Sequence, residues 1–227
     1  MRVLAIDTAL EACSAAVLDT ERADVAAHES KPMVRGHAEA LIPLIARVLE
    51  RAGVTVADID RIAVTVGPGS FTGLRVGIAA ARGLALASGK PAVGLSTLAA
   101  YAAPFIAADD TLPVVSVIDA RHDHVYCQVF GPGGRTLVAP RLVPLREALR
   151  VAATGAPRLI GTAATMLAGV WPAGERPPSA VEQRPAPDIG WVARLGAAAV
   201  DTGLPPKPLY LRAPDAQPQN AAQLARR

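Results

Sequence analysis

The chain opens with short apolar runs set between polar breaks. Val3-Leu4-Ala5-Ile6 is a continuous apolar run that stops at Asp7, Cys13 to Leu18 alternates weakly, and Asp24 to Ser30 is a poorer third run. These predict three strands in a meander, with turns at Thr8 to Ala12 and Asp19 to Ala23. The period then changes. Apolar residues at 38, 41, 42, 45, 48, 49 and 52, with Glu39, Arg47, Glu50 and Arg51 opposite, predict a helix from Ala38 to Ala52. Gly53 is its natural stop, and Pro43 must lie in the first turn or kink the start. Arg61 to Val66 predicts a strand that runs directly into a glycine-rich loop. A helix from Thr72 to Ser88, a strand from Pro91 to Gly94 and a helix from Thr97 to Ala107 follow.

The second half begins like the first. Val114-Val115-Ser116-Val117-Ile118-Asp119 matches Arg2-Val3-Leu4-Ala5-Ile6-Asp7: a buried strand ends on an aspartate, and a turn leads to another strand at Val125 to Phe130. This is a weak sign of internal duplication, with its boundary near Ala107 to Pro113. Pro144 to Ala152 predicts a helix with proline at its first position. The five prolines between 172 and 187 predict a loop, Ile189 to Thr202 a helix, and Pro208 to Arg212 a short final strand. Residues 213–227 read as a loose polar tail. Strands alternating with helices give an α/β chain with mixed sheets. We divide it into an N-terminal lobe (1–107), a C-terminal lobe (108–212) and the tail (213–227).

Composition narrows this picture. At 227 residues the chain can bury a sizeable core, and with 51% apolar but only 4% aromatic residues that core is built from short side chains. The net charge of +3 permits contact with nucleic acid but does not argue for it, since no basic cluster stands out along the sequence. The start lacks the apolar core of a signal peptide, and no stretch of about 18 uncharged apolar residues appears. With only Cys13 and Cys127, a cytoplasmic, reduced protein is expected.

The glycine-rich loop Gly67-Pro68-Gly69-Ser70-Phe71-Thr72-Gly73-Leu74-Arg75 joins a strand to a helix N-terminus, where phosphate can sit. The established phosphate patterns fail on spacing. Five residues separate Gly67 from Gly73 where a Walker loop needs four and then Gly-Lys, and Thr72 stands where a Rossmann loop needs its third glycine. Ser70 lacks the flanking glycines of a nucleophile elbow. Two readings remain: a tight turn that lets helix and sheet pack closely, or a ligand contact. The helix after the loop carries only Arg75 and Arg82 as charges, with a row of small residues at Gly73, Gly77 and Ala81. It is either a core helix or an interface.

Other candidate chemistry is thin. His37 has Leu41 where a metal-binding H-x-x-x-H pair needs its second histidine, and His122 and His124 fit an exposed hairpin turn. Cys13 and Cys127 have no base near in sequence. Asp7 and Asp119 each end a strand, and in an ATPase of duplicated-lobe type two such aspartates would face each other over Mg²⁺. Residues 8–12 contain no glycine for a phosphate turn, which points to a degenerate site or to strand-capping carboxylates.

Together, Arg2 to Thr8, His37 at a helix start, the loop Gly67 to Arg75, Ile118-Asp119-Ala120-Arg121 with Val125-Tyr126, and Pro208 to Arg212 resemble the TsaB family, formerly YeaZ, from residue 1 to about 212. The resemblance implies an actin/sugar kinase/Hsp70-like (ribonuclease H-like) fold of duplicated lobes, with mixed sheets and flanking helices. It implies a non-catalytic scaffold subunit that pairs with its paralogue TsaD, or with itself when alone. With the ATPase TsaE, that complex forms N6-threonylcarbamoyladenosine next to the anticodon of tRNA. ATP and metal are expected in the partner subunits and no cofactor in this one. The surface implied for pairing comprises His37, Leu41, Leu44, Val48, Gly73, Val76, Gly77, Ala80 and Ala81. A standard interface there would bury about 1,200–2,000 Å². The competing possibility is an autonomous ATPase or phosphotransferase of the same fold using Asp7 and Asp119. No triad supports a peptidase. The alanine- and proline-rich tail after Arg212 matches nothing in the family pattern.

Overall fold

A computed structural model describes residues 1–22, 24–152 and 155–212, so the tail assigned to 213–227 lies outside the described residues. The element order is β1 (Arg2–Asp7), β2 (Ala12–Asp19), β3 (Asp24–Pro32), α1 (His37–Ala52), β4 (Arg61–Gly67), α2 (Phe71–Ser88), β5 (Ala92–Ser96) and α3 (Thr97–Ala108). It then repeats: β6 (Val114–Asp119), β7 (His124–Phe130), β8 (Thr136–Pro144), α4 (Leu145–Ala152), β9 (Arg158–Ile160), α5 (Ala164–Gly169), β10 (Ala180–Glu182) and α6 (Ile189–Ala198). The first sheet runs β3-β2-β1-β4-β5 and the second β8-β7-β6-β9-β10. In both, the first three strands are antiparallel and the last two join in parallel. The weak sequence repeat is therefore a full structural duplication of the actin/sugar kinase type.

Burial explains the strand sequences. β1 and β4 are buried on both faces and read as mainly apolar runs, broken within β4 only by Thr65. Leu4, Ile6, Val17 and Val64 meet α1 and α2 on one side, while Val3, Ala5, Leu18 and Ala63 meet Val192 and Ala193 of α6 on the other. In the second lobe Val115, Val117 and Cys127 pack under α4 and α5. Val114, Ile118 and Phe130 pack against Leu98 and Tyr101 of α3. Thus α3 and α6 lie between the sheets, and α6, the last element among the described residues, covers the first sheet.

Each inner helix is capped by an arginine that opens the fourth strand of a lobe. Arg61 donates to the carbonyls of Gly196, Ala197 and Ala199 at the end of α6 (3.1, 3.2 and 2.7 Å). Arg158 donates to Phe105 and Leu112 (2.8 and 2.9 Å) and to Asp109 at the end of α3. A guanidinium suits these sites because several donors reach a set of orphan carbonyls at the negative end of the helix.

Several expectations need correction. Pro43 sits in the second turn of α1, which begins at His37, and is exposed. Pro144 ends β8 instead of opening α4. The proline-rich stretch 172–187 contains the short strand β10. The last helix stops at Ala198 rather than Thr202. Residues 208–212 form no strand. They run extended across the first lobe, held by one backbone bond from Leu209 N–H to the Val66 carbonyl (2.7 Å).

Close approach of α6 to the sheet requires Gly196, where an added Cβ would collide with the Ala63 methyl. Gly196→Ala should lower stability by about 1–3 kcal/mol through overpacking. Gly83→Ala, whose Cβ would meet open space on α2, should raise it by up to about 1 kcal/mol. Urea denaturation midpoints of the two variants should therefore move in opposite directions.

Candidate functional site

The glycine-rich loop leaves β4 at Gly67, whose φ of +115° only glycine adopts readily, and passes through a cis Gly67–Pro68 bond. Ser70 then caps α2, its hydroxyl accepting from the Gly73 N–H (3.3 Å). The loop is pressed against the turn that follows β1. The Ser70 N–H donates to the Ala9 carbonyl (2.7 Å), and the Thr8 hydroxyl donates to the Gly73 carbonyl (2.7 Å). Added Cβ atoms would strike the Ala9 carbonyl from Gly69, the Thr8 carbonyl from Gly73 and the Thr8 hydroxyl from Gly77. The space above the β1 turn is thus filled by the chain's own backbone. The glycines serve close packing, the first of the two readings left open by the sequence.

Asp7 lies beneath this lid, fully buried. Its carboxylate accepts from the Thr65 hydroxyl and from the Ala9 N–H (3.1 Å), and its other oxygen has no hydrogen-bond partner. Burial pushes the carboxyl above the usual range, against the lowering effect of those hydrogen bonds. Asp119 is instead exposed, accepting from the Arg121 N–H (2.8 Å). The two aspartates therefore do not share a solvent-open site. A cleft of about 760 Å³ between the lobes is lined by Glu11, Ser70, Phe71, Asp119, Arg121 and Arg184 among others, and Asp7 is not in its wall.

The remaining loop residues divide by environment. Pro68 is buried and Thr72 exposed. Phe71 and Arg75 project from the first turn of α2. The Arg75 guanidinium stacks 3.7 Å above the Phe71 ring, and Tyr210 lies 5.6 Å from that ring and accepts from Arg75 Nε (3.2 Å). Leu209 also packs against Gly67. Arg212 continues to the second lobe and donates to the Ala120 carbonyl (2.8 Å). Residues 208–212 thus strap the loop to the opposite lobe. Tyr210 was legible only as part of a motif, because nothing in local spacing tells that it meets a loop 135 positions away.

The nine residues expected to form the pairing surface fare differently. Leu41, Leu44, Val48 and Ala81 belong to the core, and Gly73 and Gly77 face the β1 turn. His37 is buried, its Nε2 3.1 Å from the Leu10 carbonyl. Only Val76 and Ala80 reach the surface, half-buried. The apolar stripe of α1 is consumed by the sheet, so the outward face consists of other residues: Ala38, Ile42 and Ala46 on α1, and Ala79, Gly83 and Leu86 on α2. Leu86 is 87% and Ile42 54% exposed.

Among the described residues no group of three His, Cys, Asp or Glu side chains is placed to hold a metal ion. Burial pushes the Cys13 thiol up to about 11 and Cys127 to about 12, so neither is a ready nucleophile at neutral pH.

Comparison with known proteins matches residues 30–170 to the family described as TsaD, tRNA N6-adenosine threonylcarbamoyltransferase. The tRNA threonylcarbamoyladenosine biosynthesis protein TsaB of Escherichia coli is 42% identical over 127 residues, which cover 56% of this chain and 53% of that protein; the chain thus spans about half the length of that relative. The solved structure of YeaZ from Pseudomonas aeruginosa superposes with a TM-score of 0.77 at 30% identity, covering 92% of this chain and 99% of that one. An inorganic polyphosphate/ATP-glucomannokinase from Arthrobacter shares the fold alone, with a TM-score of 0.51 at 13% identity over 87% of this chain and 98% of that one.

The Asp7 carboxyl gives a pH signature. Folded, it holds its proton to higher pH than the unfolded value of about 3.9. Its share of stability is complete below that value and is lost as pH rises through the raised folded value. Chemical denaturation of wild type and Asp7→Asn from pH 3.5 upward should show the wild type losing ground to the variant as pH rises. Parallel curves would show that Asp7 ionises normally.

Proposed function

This chain belongs to the TsaB (YeaZ) family, and from that premise we propose that it is a non-catalytic scaffold subunit in the formation of N6-threonylcarbamoyladenosine next to the anticodon of tRNA. Its partner is the TsaD-type paralogue, which carries the metal and the transfer chemistry; a TsaE-type ATPase uses the ATP, and this subunit holds no cofactor of its own. Alone, the chain pairs with itself. The cytoplasm, where tRNA is processed, is its place of action. No helix among the described residues is long and apolar enough to cross a membrane.

The observation that carries this proposal is the filled space above the β1 turn. In a working site of this fold that space would receive the phosphates. Here the backbone of residues 69–73 is pressed against Thr8 and Ala9, and Asp7 is fully buried. That favours a subunit without its own chemistry over an autonomous ATPase using Asp7 and Asp119.

Pairing is supported by the outward face of α1 and α2. It presents Ala38, Ile42, Ala46, Ala79, Gly83 and Leu86, with Arg75 and Arg82 as flanking charges. Small side chains let a second pair of helices approach, and the large exposed leucine and isoleucine gain most from cover. Because the paralogue's family model matches residues 30–170, which contain both helices, the paralogue carries equivalents of α1 and α2. Two related helix pairs can then meet face to face with approximate two-fold symmetry.

Mixing the chain with a TsaD-type paralogue should shift it from homodimer to heterodimer on a sizing column. Ile42→Asp and Ala79→Asp should each weaken that pairing at least about tenfold, about 1.4 kcal/mol, while leaving the thermal midpoint nearly unchanged. Unchanged affinity in both variants would remove α1 and α2 from the interface. The isolated chain should hydrolyse no ATP, and turnover abolished by Asp7→Asn would establish the autonomous enzyme instead.

A further inference from the structure

The second lobe gathers arginines that the sequence scatters. Arg141 lies on β8, the edge strand of the second sheet, across from Cys127. α4 follows β8 without a break. It turns Ala148 and Ala152 to the core and leaves Arg146 and Arg150, one helical turn apart, exposed. The β6–β7 turn closes the group. Its residues Arg121 and His122 are exposed, its Asp123 carbonyl accepts from the Leu145 N–H at the start of α4 (2.8 Å), and His124 pairs in register with Pro144. The end of β8, the first turns of α4 and this turn therefore form one continuous surface.

The charge on that surface is positive on balance. From 120 to 152 there are five arginines against two acids, Asp123 and Glu147, whereas residues 1–60 hold six Lys and Arg against ten acids. In the first lobe, Arg47 and Arg51 pair with Glu29 and Arg2 with Asp19, while Arg22, Arg35 and Arg82 are scattered over separate segments. Arg121, Arg141, Arg146 and Arg150 take part in no ion pair among the described residues. Nor does the stretch from Val138 to Ala152 expose a large apolar side chain of the kind that anchors a protein partner. Exposed, unpaired guanidiniums without an apolar anchor suit a partner recognised by its phosphates.

We propose that Arg121, Arg141, Arg146 and Arg150 form a docking face for the RNA phosphate backbone, used by the tRNA whose modification the complex carries out. The proposal rests on the functional assignment above and adds to it which lobe of this subunit touches the RNA. The face lies on the lobe opposite α1 and α2, so RNA and paralogue can be held together. Contacts of this kind set position and strength of binding without reading sequence.

The test uses unmodified tRNA, titrated by fluorescence anisotropy from 50 to 300 mM salt. It is run against the chain alone and against its complex with the TsaD-type paralogue. A triple variant, Arg141→Ala with Arg146→Ala and Arg150→Ala, should lower affinity at low salt at least about tenfold. It should also flatten the slope of log K against log salt by about 2, since each lost phosphate contact removes about 0.7–0.9. A control with equal loss of charge at the exposed Arg22, Lys31 and Lys207 should change neither quantity. The proposal is overturned if the triple variant matches wild type, if the control loses as much, or if polyglutamate of matched charge displaces the tRNA from the chain as well as RNA does. A chain that fails to pair with the paralogue on the sizing column strikes the functional assignment instead, and the titration of the chain alone still decides the RNA face.

Discussion

Two hydrogen bonds set the character of the first lobe: Ser70 N–H to the Ala9 carbonyl, and the Thr8 hydroxyl to the Gly73 carbonyl. They hold the start of α2 against the turn after β1 at a separation that only glycine at 69, 73 and 77 permits. Several other features depend on this contact. It buries Asp7 and raises its proton affinity. It spends the small-residue row of α2 inside the chain, which decides which side of that helix faces out. It also aims Phe71 and Arg75 at the cleft mouth, where Tyr210 stacks on them and the strap to the second lobe begins.

The duplication shows how one plan was put to two uses. Both lobes keep the order of strands and helices, and both begin their fourth strand with an arginine that caps an inner helix. The equivalent turns differ. After β1 the turn is covered by the glycine loop, while after β6 the residues Arg121, His122 and Asp123 adopt left-handed backbone and stay exposed. Charge follows the same split, with acids gathered in the first sixty residues and arginines around α4. The two lobes thus present surfaces of unlike charge.

Much of the first lobe was legible in the sequence because its elements are long and their periods clean. α1 carries clear helical spacing, α2 is apolar or small for most of its length, and β1 and β4 are mainly apolar runs. The second lobe was harder. β9 and β10 have three residues each, too few for any period, and β8 holds Pro140 and Pro144, which an edge strand tolerates but a sequence pattern counts against. The glycine loop was recognisable as a tight turn from spacing alone. Its contact with Thr8 and Tyr210 was not, because those partners are distant in sequence. The residues expected to form a pairing surface are largely buried for a related reason. Periodicity tells which residues of a helix are apolar, but Leu41 and Val48 on one side and Ile42 and Ala46 on another are separated only by knowing where the sheet lies.

The position of α6 bears on how this chain is made. The helix lies on the first sheet, against Val3, Ala5 and Ala63, yet it is the last regular element among the described residues. During synthesis the first lobe emerges early, but one face of its central strands stays uncovered until residue 198 has cleared the ribosome exit. The nascent chain therefore carries an open alanine- and valine-lined sheet face until α6 has emerged to cover it.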